Sequence, residues 1–349
     1  MERNATLINV ERDKLDPNGA YEIPAMFVPS FRKAVAGQRG VKNKILLKTW
    51  GGLGDQICAE PTLRFALDRF KEYEISLDAM VPELFTHLKF HKVYDQKKNP
   101  ANEDEFDVFH TICSDQDFFW EYVCHLYTHC IDFPSICAFR SQLPRAYREI
   151  QLHPSQEIYD KITPLMSDFV NKIPFVVLHP GKHWQSKTFP KWWWDRVISY
   201  LKRNDCLPVI IGGHADDING LRTTVDVDTE GCVDFRNKFS VMETVAILKK
   251  SRVLLTNDSA PLHMAASTNA WIGFVSMNKH PEYITHTRYG EFGWRMKSFE
   301  LGGVWDISHF LSDINVQDIG ENLEKWLPIP EELGKWALYA GWNYFLFKD

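Results

Sequence analysis

Short apolar runs alternate with amphipathic stretches along most of this chain. The runs are three to six residues long and end at glycine or polar residues, which is typical of buried strands, whereas the longer stretches have the 3.6-residue period of helices. The pattern predicts strands at 44–48, 75–80, 108–110, 175–179, 207–211, 252–256 and 271–275, and helices at 57–70, 118–131, 191–203, 241–250, 261–267 and 333–347.

Strands and helices that alternate in this way form parallel sheets with helices on both faces. The 349 residues exceed one ordinary core and fit two domains of about 150 residues each. We predict an α/β protein with an N-terminal arm (1–42), a first Rossmann-like domain (43–170), a second one (171–328) and a C-terminal helix (329–349).

Composition and charge narrow the functional classes. The net charge of −6 argues against a general polyanion binder. The seven cysteines are odd in number and lack a CxxC pair, which indicates reduced thiols. The first sixteen residues are polar, unlike a signal peptide, and no apolar run reaches the ~18 residues of a membrane span. We therefore expect a cytoplasmic protein without a membrane span.

The first candidate site is the glycine turn Gly51-Gly52-Leu53-Gly54-Asp55 after the first strand. Glycines there allow a tight turn and the close approach of a ligand at the carboxyl edge of the sheet. Asp55 is a candidate general base. An acid at a helix start can equally be a cap that accepts backbone N–H groups, and both interpretations stay open.

Three strand ends of the second half carry candidate ligand groups. The segment 179–190 brings Gly181, Lys182 and Lys187 before a helix, where lysines favour a diphosphate. Gly212 and Gly213 precede Asp216 and Asp217, whose carboxylates suit ribose hydroxyls. The segment 256–263 places Asp258, Ser259, Ala260 and His263 at the next helix start, where a phosphate site and a plain cap both fit.

Histidine and cysteine pairs raise the question of a metal. Cys124-His125 and His129-Cys130 fall on one predicted helix with the two histidines at i and i+4, and His87 and His91 have the same spacing. A helix face can present such pairs to zinc. No second cluster has the spacing of a zinc ribbon, so we expect no metal site.

Taken together, these segments resemble the family 9 glycosyltransferases, which include the ADP-heptose:lipopolysaccharide heptosyltransferases. The matching segments appear in the family's order: KTWGGLGDQICAE at 48–60, HPGKHWQSKTFP at 179–190, Gly212-Gly213, and NDSAPLHMAA at 257–266. The resemblance implies the GT-B architecture, with an acceptor domain, a donor domain and a last helix that returns to the N-terminal domain. It also implies an inverting, metal-independent transfer with a nucleotide-diphosphate sugar as co-substrate and no further cofactor.

The resemblance also assigns roles to residues. Asp55 takes the place of the catalytic base, with Gly52, Gly54 and Gln56 on the acceptor side. Donor binding falls on Lys187, with Asp258, Ser259 and Ala260 against the diphosphate and His263 adjacent. Lys182, Gly181, Gly212 and Gly213 complete the donor side, and Asp216 falls near the ribose.

The acceptor stays open. A lipopolysaccharide or other surface glycan is the first hypothesis, and a hydroxylated base in DNA, as in viral glycosyltransferases, is the second. The DNA hypothesis needs a basic face on the first domain, for which the candidates are Arg32, Lys33, Arg39, Lys42, Arg64, Arg140, Arg145 and Arg148. A third hypothesis is a non-catalytic nucleotide-sugar-binding protein. An NAD-dependent oxidoreductase fits poorly because a complete GxGxxG is missing.

Overall fold

The structure is a computed structural model that describes residues 44–112, 129–139, 142–170, 172–182, 187–213, 224–276, 284, 296–300 and 329–346, with the backbone alone for 276, 297–300 and 341–346. Three sequence predictions lie outside these residues: the arm at 1–42, most of the helix at 118–131, and the acids Asp216 and Asp217.

The first sheet follows directly from the apolar runs of the N-terminal half. Four parallel strands lie in the order β3-β2-β1-β4. Strand β1 is central and buries Ile45, Leu46 and Leu47, as expected for a strand covered on both faces. Strand β3 was not predicted because it is three residues long and partly exposed. The strands are β1 (Lys44–Thr49), β2 (Glu74–Ala79), β3 (Val93–Asp95) and β4 (Val108–Ile112).

Three helices accompany this sheet: α1 (Leu53–Arg69), α2 (Asp132–Phe139) and α3 (Gln156–Met166). Helix α1 begins four residues before the predicted start. Its N-cap is Gly52, whose N–H donates to the Asp55 carboxylate at the third helical position. This is one of the two hydrogen bonds of a capping box, and it stabilises the earlier start. Helix α3 lies near the C-terminal end of the predicted first domain (43–170).

The second sheet is parallel throughout and has the order β10-β9-β8-β5-β6-β7. The predicted strands and helices of this half are confirmed to within a few residues. The added edge strands β7 and β10 carry no clear apolar run. The strands are β5 (Phe175–His179), β6 (Leu207–Ile210), β7 (Val233–Asp234), β8 (Val253–Asn257), β9 (Trp271–Ser276) and β10 (Met296–Glu300); the helices are α4 (Lys191–Arg203), α5 (Val241–Lys250) and α6 (Ala260–Ala266).

The last helix, α7 (Pro330–Leu346), packs on the second domain over its described side chains. The Trp336 ring lies 6.3 Å from that of Trp271, and Gly334 leaves room for Tyr200 of α4. Two guanidinium nitrogens of Arg196 donate hydrogen bonds to the Glu331 carboxylate at 3.0–3.1 Å. The return of this helix to the first domain stays a prediction.

The two sheets form separate Rossmann-like domains that meet along helices. Helix α1 of the first packs against α6 of the second, and α3 packs against α5. Lys161 of α3 pairs with Glu243 of α5 at 2.5 Å, and the Glu83 carboxylate accepts the Val241 N–H at 3.1 Å. The fold is therefore the predicted pair of facing Rossmann-like domains. Within the described residues, no helix has the length and apolar content that a membrane crossing requires, and no cysteine forms a disulfide.

Asp78, at the end of β2, is a buried acid that predicts a pH effect on stability. Its side chain is fully buried, and among the described residues no side chain donates to its carboxylate oxygens at hydrogen-bond geometry. Burial raises the pKa of this carboxyl, partly opposed by the charge of Lys48. The unfolded chain therefore releases the proton at a lower pH than the folded chain does, and the folded state loses stability as pH rises from about 4 through the folded pKa.

We expect Asp78→Asn to remove that loss. Below pH 4 the variant and the wild-type protein should have similar melting temperatures. Near pH 8 the variant should melt higher, by roughly 2–4 °C for each kcal/mol recovered. Differential scanning calorimetry across this range measures the effect, with the exposed acid Asp160 changed to asparagine as the control. A difference in melting temperature that does not change with pH would contradict the prediction.

Candidate functional site

A cleft of about 790 Å³ lies between the two domains, at the carboxyl ends of their central strands. Its volume is within the range of small-molecule sites, and open α/β sheets bind ligands at this edge. Both domains contribute to the walls. The lining residues that the sequence also singled out are Gly52, Gly54, Asp55, Gly181, Lys182, Lys187, Gly212, Gly213, Asp258, Ser259, Ala260 and His263.

Asp55 enters this cleft from the start of α1. Its Oδ2 atom accepts the Gly52 N–H at 2.8 Å, so the carboxylate caps the helix from inside rather than from the N-cap position. Gly51 has a φ of +93°, and a side chain there would lie within 2.7 Å of the same oxygen. Asp55 therefore does cap the helix, and this uses one lone pair of its carboxylate. A carboxylate has other lone pairs, so the capping role does not prevent it from accepting a proton from a ligand.

Asn257, the last residue of β8, organises the loop that follows β5. Its side-chain amide donates to the carbonyl oxygens of Gly181, at 2.9 Å, and Lys187, at 2.6 Å. A side chain on Gly181 would collide with the Asn257 oxygen. One buried amide therefore holds the two ends of the loop that carries both candidate lysines.

Lys187 faces Asp258 across this loop. The Lys187 Nζ atom is 2.5 Å from Asp258 Oδ2, and the side chains are 24% and 8% exposed. A pair that is this well shielded has a stronger electrostatic interaction than a surface pair. Lys182 is exposed and also lines the cleft. Among the described lining residues these two lysines supply cationic side chains at the second domain's wall.

A buried polar cluster supports the same wall. The His179 Nδ1 atom lies 3.0 Å from Ser259 Oγ and 3.3 Å from Thr256 Oγ1, and the two hydroxyl oxygens are 3.1 Å apart. Burial lowers the pKa of His179 to about 4, so the ring is neutral at pH 7. A side chain on Gly212, whose φ is +122°, would lie 2.8 Å from this ring. His179 therefore positions Ser259 and adds no positive charge to the cleft.

One predicted site residue, Gln56, does not line the cleft, and another, Asp216, lies outside the described residues. Gln56 is buried, and its amide oxygen accepts the Thr49 hydroxyl at 3.3 Å and the Val81 N–H at 3.2 Å. The helix turns this side chain toward the sheet, where it joins the ends of two strands, and its acceptor-side role stays a prediction.

The sequence interpretation missed residues that support the site from behind. Asn257, Thr256 and His179 were not assigned roles, although each is a polar residue at the end of a buried strand, and that position was the available signal. It also missed Cys58, and it considered Cys130 only beside His129 in a helical histidine pattern, whereas both cysteines line the cleft. No sequence spacing links Cys58 to Cys130, because the two are brought together only by folding.

Two of the eight basic residues that were candidates for a DNA-binding face, Arg64 and Arg148, are engaged inside the first domain. Arg64 pairs with the buried Glu60 at 2.9 Å and donates to two backbone carbonyls. Arg148 lies 3.3 Å from the buried Asp132. Arg145 is exposed. Of the remaining candidates, Arg32, Lys33, Arg39, Lys42 and Arg140 lie outside the described residues.

Comparisons with known proteins agree with this arrangement. Residues 126–271 match the family described as glycosyltransferase family 9 (heptosyltransferase). A family 9 glycosyl transferase from Veillonella parvula superposes with a TM-score of 0.59 at 13% identity, covering 89% of this chain and 99% of that one. The ADP-heptose lps heptosyltransferase II of E. coli gives 0.54 at 16% identity, covering 81% and 98%.

A third solved structure contains a bound donor. It is the dodecameric iron-containing heptosyltransferase TibC in complex with ADP-D-beta-D-heptose, with a TM-score of 0.52 at 12% identity, covering 76% of this chain and 65% of that one. At such identities the three structures establish the fold. No curated protein sequence matches the chain.

Proposed function

We propose that this chain is a member of glycosyltransferase family 9, whose model matches residues 126–271, and that it transfers a sugar from a nucleotide-diphosphate sugar to an acceptor hydroxyl with inversion at the anomeric carbon. One observation carries the proposal: a single cleft brings the carboxylate of Asp55 from the first domain to face Lys187 and Lys182 of the second. A base and a diphosphate site on opposite walls are what a direct displacement needs.

The donor diphosphate is proposed to lie on the second domain's wall. Lys187 and Lys182 would neutralise its charge, and the backbone at Gly181, Gly212 and Gly213 permits close approach because these residues have no side chain. Fixed positive charge in a shielded cleft stabilises a leaving group that becomes more negative. The proposed transfer step uses no metal ion and no cofactor other than the donor itself. ADP is the proposed nucleotide, because ADP-heptose is the donor bound in TibC.

The acceptor is proposed to enter from the first domain's side, near Gly52 and Gly54. Asp55 removes the proton of the acceptor hydroxyl. The hydroxyl oxygen then forms a bond to the anomeric carbon on the face opposite the donor, while the bond from that carbon to the diphosphate oxygen breaks. The nucleotide diphosphate leaves with the bonding pair. Two opposed domains hold the reactants in line and exclude water, which would otherwise hydrolyse the donor.

A glycan of the lipopolysaccharide type is the proposed acceptor class. One of the similar solved structures, the E. coli heptosyltransferase II, has lps in its name. The DNA alternative is less favoured because Arg64 and Arg148 are engaged by Glu60 and Asp132. A cytoplasmic location is part of the proposal.

Thermal denaturation with a panel of nucleotides tests the donor site. ADP, UDP and GDP should be compared with AMP, which has the same base as ADP but lacks its second phosphate. We expect ADP to raise the melting temperature and AMP to do so far less, because the lysines recognise the diphosphate. A ligand at 100 times its Kd stabilises by about 2.7 kcal/mol. If no diphosphate stabilises the protein, or if AMP matches ADP, the proposed donor site is wrong.

A further inference from the structure

Three potential metal ligands meet where the two domains touch. They are Cys58 of α1, Cys130 before α2, and His263 of α6. The two thiol sulfurs and a ring nitrogen of His263 all lie within 4.8 Å of one another. Helix α1 and the segment before α2 belong to the first domain, and α6 belongs to the second. The cluster therefore spans the boundary between the two domains.

The packing around the cluster brings these atoms together. Gly54 lies one helical turn before Cys58, and a side chain on it would approach the His263 ring to 3.2 Å. The absence of a side chain at Gly54 thus allows α6 to come close enough for its imidazole to reach Cys58. Cys130 is positioned by the loop ahead of α2, and its sulfur lies 3.8 Å from the Ile284 carbonyl oxygen.

The donor set is of the kind that zinc prefers. Thiolate and imidazole ligands select zinc over magnesium or calcium, which take oxygen ligands. In tetrahedral zinc sites with bonds of about 2.3 Å to sulfur and about 2.0–2.1 Å to nitrogen, neighbouring ligand atoms lie about 3.5–3.8 Å apart. The ligand atoms of the three side chains lie within 4.8 Å of one another. To bind zinc they would have to approach one another by about 1 Å, which small rotations of the side chains allow.

The position of the cluster leaves room for a fourth ligand. Cys58 is 3% and His263 7% exposed, Cys130 is partly exposed, and all three line the cleft. Two cysteines and one histidine with an open fourth position are the ligand set of a known class of zinc site. In this protein the open position would face the cleft and hold water or a polar group of a bound molecule.

We propose that Cys58, Cys130 and His263 form a zinc site that ties α1 to α6 across the domain boundary. The ion binds as the two thiols lose their protons to solvent, and no electron transfer is involved. The site holds the walls of the cleft at a set distance. It is independent of the diphosphate contacts of Lys187 and Lys182, so the transfer mechanism proposed above does not depend on it.

Cobalt(II) substitution tests the site directly, because cobalt reports its ligands by absorption. The full-length protein, stripped with a chelator and kept reduced with a phosphine, should be titrated with cobalt. We expect one equivalent to produce thiolate-to-cobalt charge-transfer bands and the intense visible bands of a tetrahedral ion, and one equivalent of zinc to abolish both. Zinc should also raise the melting temperature of the stripped protein.

The variants Cys58→Ala, Cys130→Ala and His263→Gln should each lose these bands, whereas Cys232→Ala, at another partly exposed cysteine, should keep them. Melting curves in chelator show whether each variant is folded. Cys130→Ala changes the most exposed of the three positions, so it is the variant in which a loss of the cobalt bands is least expected to result from unfolding. Absence of thiolate bands in the reduced wild-type protein would overturn the site. So would bands or zinc stabilisation that persist in folded Cys130→Ala.

Discussion

Asp55→Asn is expected to reduce the rate of sugar transfer by about 10²–10⁴-fold, which is the usual contribution of a general base. The amide cannot take the proton of the acceptor hydroxyl. It should nevertheless preserve the fold, because its oxygen can accept the Gly52 N–H that Asp55 now accepts at 2.8 Å. The substitution therefore separates the two interpretations of this acid: a helix cap would survive the change, and a base would not.

The measurement is the rate of nucleotide diphosphate release in the presence of a glycan acceptor, together with the donor Kd and the melting temperature. Asp104→Asn is the matched control, since Asp104 is an exposed acid of the same domain away from the cleft lining. We expect the Asp55 variant to lose turnover with little change in donor Kd. Turnover within a few fold of wild type would rule out Asp55 as the base.

Lys187→Ala should weaken donor binding by about 10–100-fold, the range expected for a hydrogen bond to a charged group. The ion pair with Asp258, at 2.5 Å, places the effect toward the upper end. The ammonium group both attracts the diphosphate and offsets the Asp258 carboxylate, which would otherwise repel it. Removing the lysine thus costs an attractive contact and exposes the donor to a repulsive charge.

Titration calorimetry with the nucleotide diphosphate identified by the thermal panel measures this effect. Lys191→Ala is the matched control, because Lys191 pairs with Asp195 at 2.6 Å and is 55% exposed but does not line the cleft. The double variant Lys187→Ala/Asp258→Asn should recover part of the lost affinity, which a double-mutant cycle quantifies. An unchanged Kd in the single variant would contradict the proposed position of the diphosphate.

The local order of this protein follows from its sequence. Strands such as β5 and β8 are continuous apolar runs, and α4 keeps its apolar side chains on one stripe, so periodicity alone predicted them. The glycine turn before α1 and the lysines after β5 could be recognised as candidate ligand groups, because the carboxyl ends of parallel strands lie at the same edge of a sheet. The resemblance to family 9 then predicted how the two domains face each other.

The contacts between distant segments depended on tertiary structure. Gln56 belongs to a recognised motif, yet its side chain turns inward to Thr49 and Val81, because the earlier start of α1 sets the rotation of the helix. Asn257 holds the lysine loop through its buried side-chain amide. Its position at a strand end is visible in the sequence, but its partners in the loop are not. Cys58, Cys130 and His263 lie far apart along the chain, and they meet only because Gly54 lets α6 pack closely on α1. Sequence periodicity predicts which residues are neighbours within one helix or strand. Contacts between residues that are distant in the sequence depend on how helices, strands and domains pack.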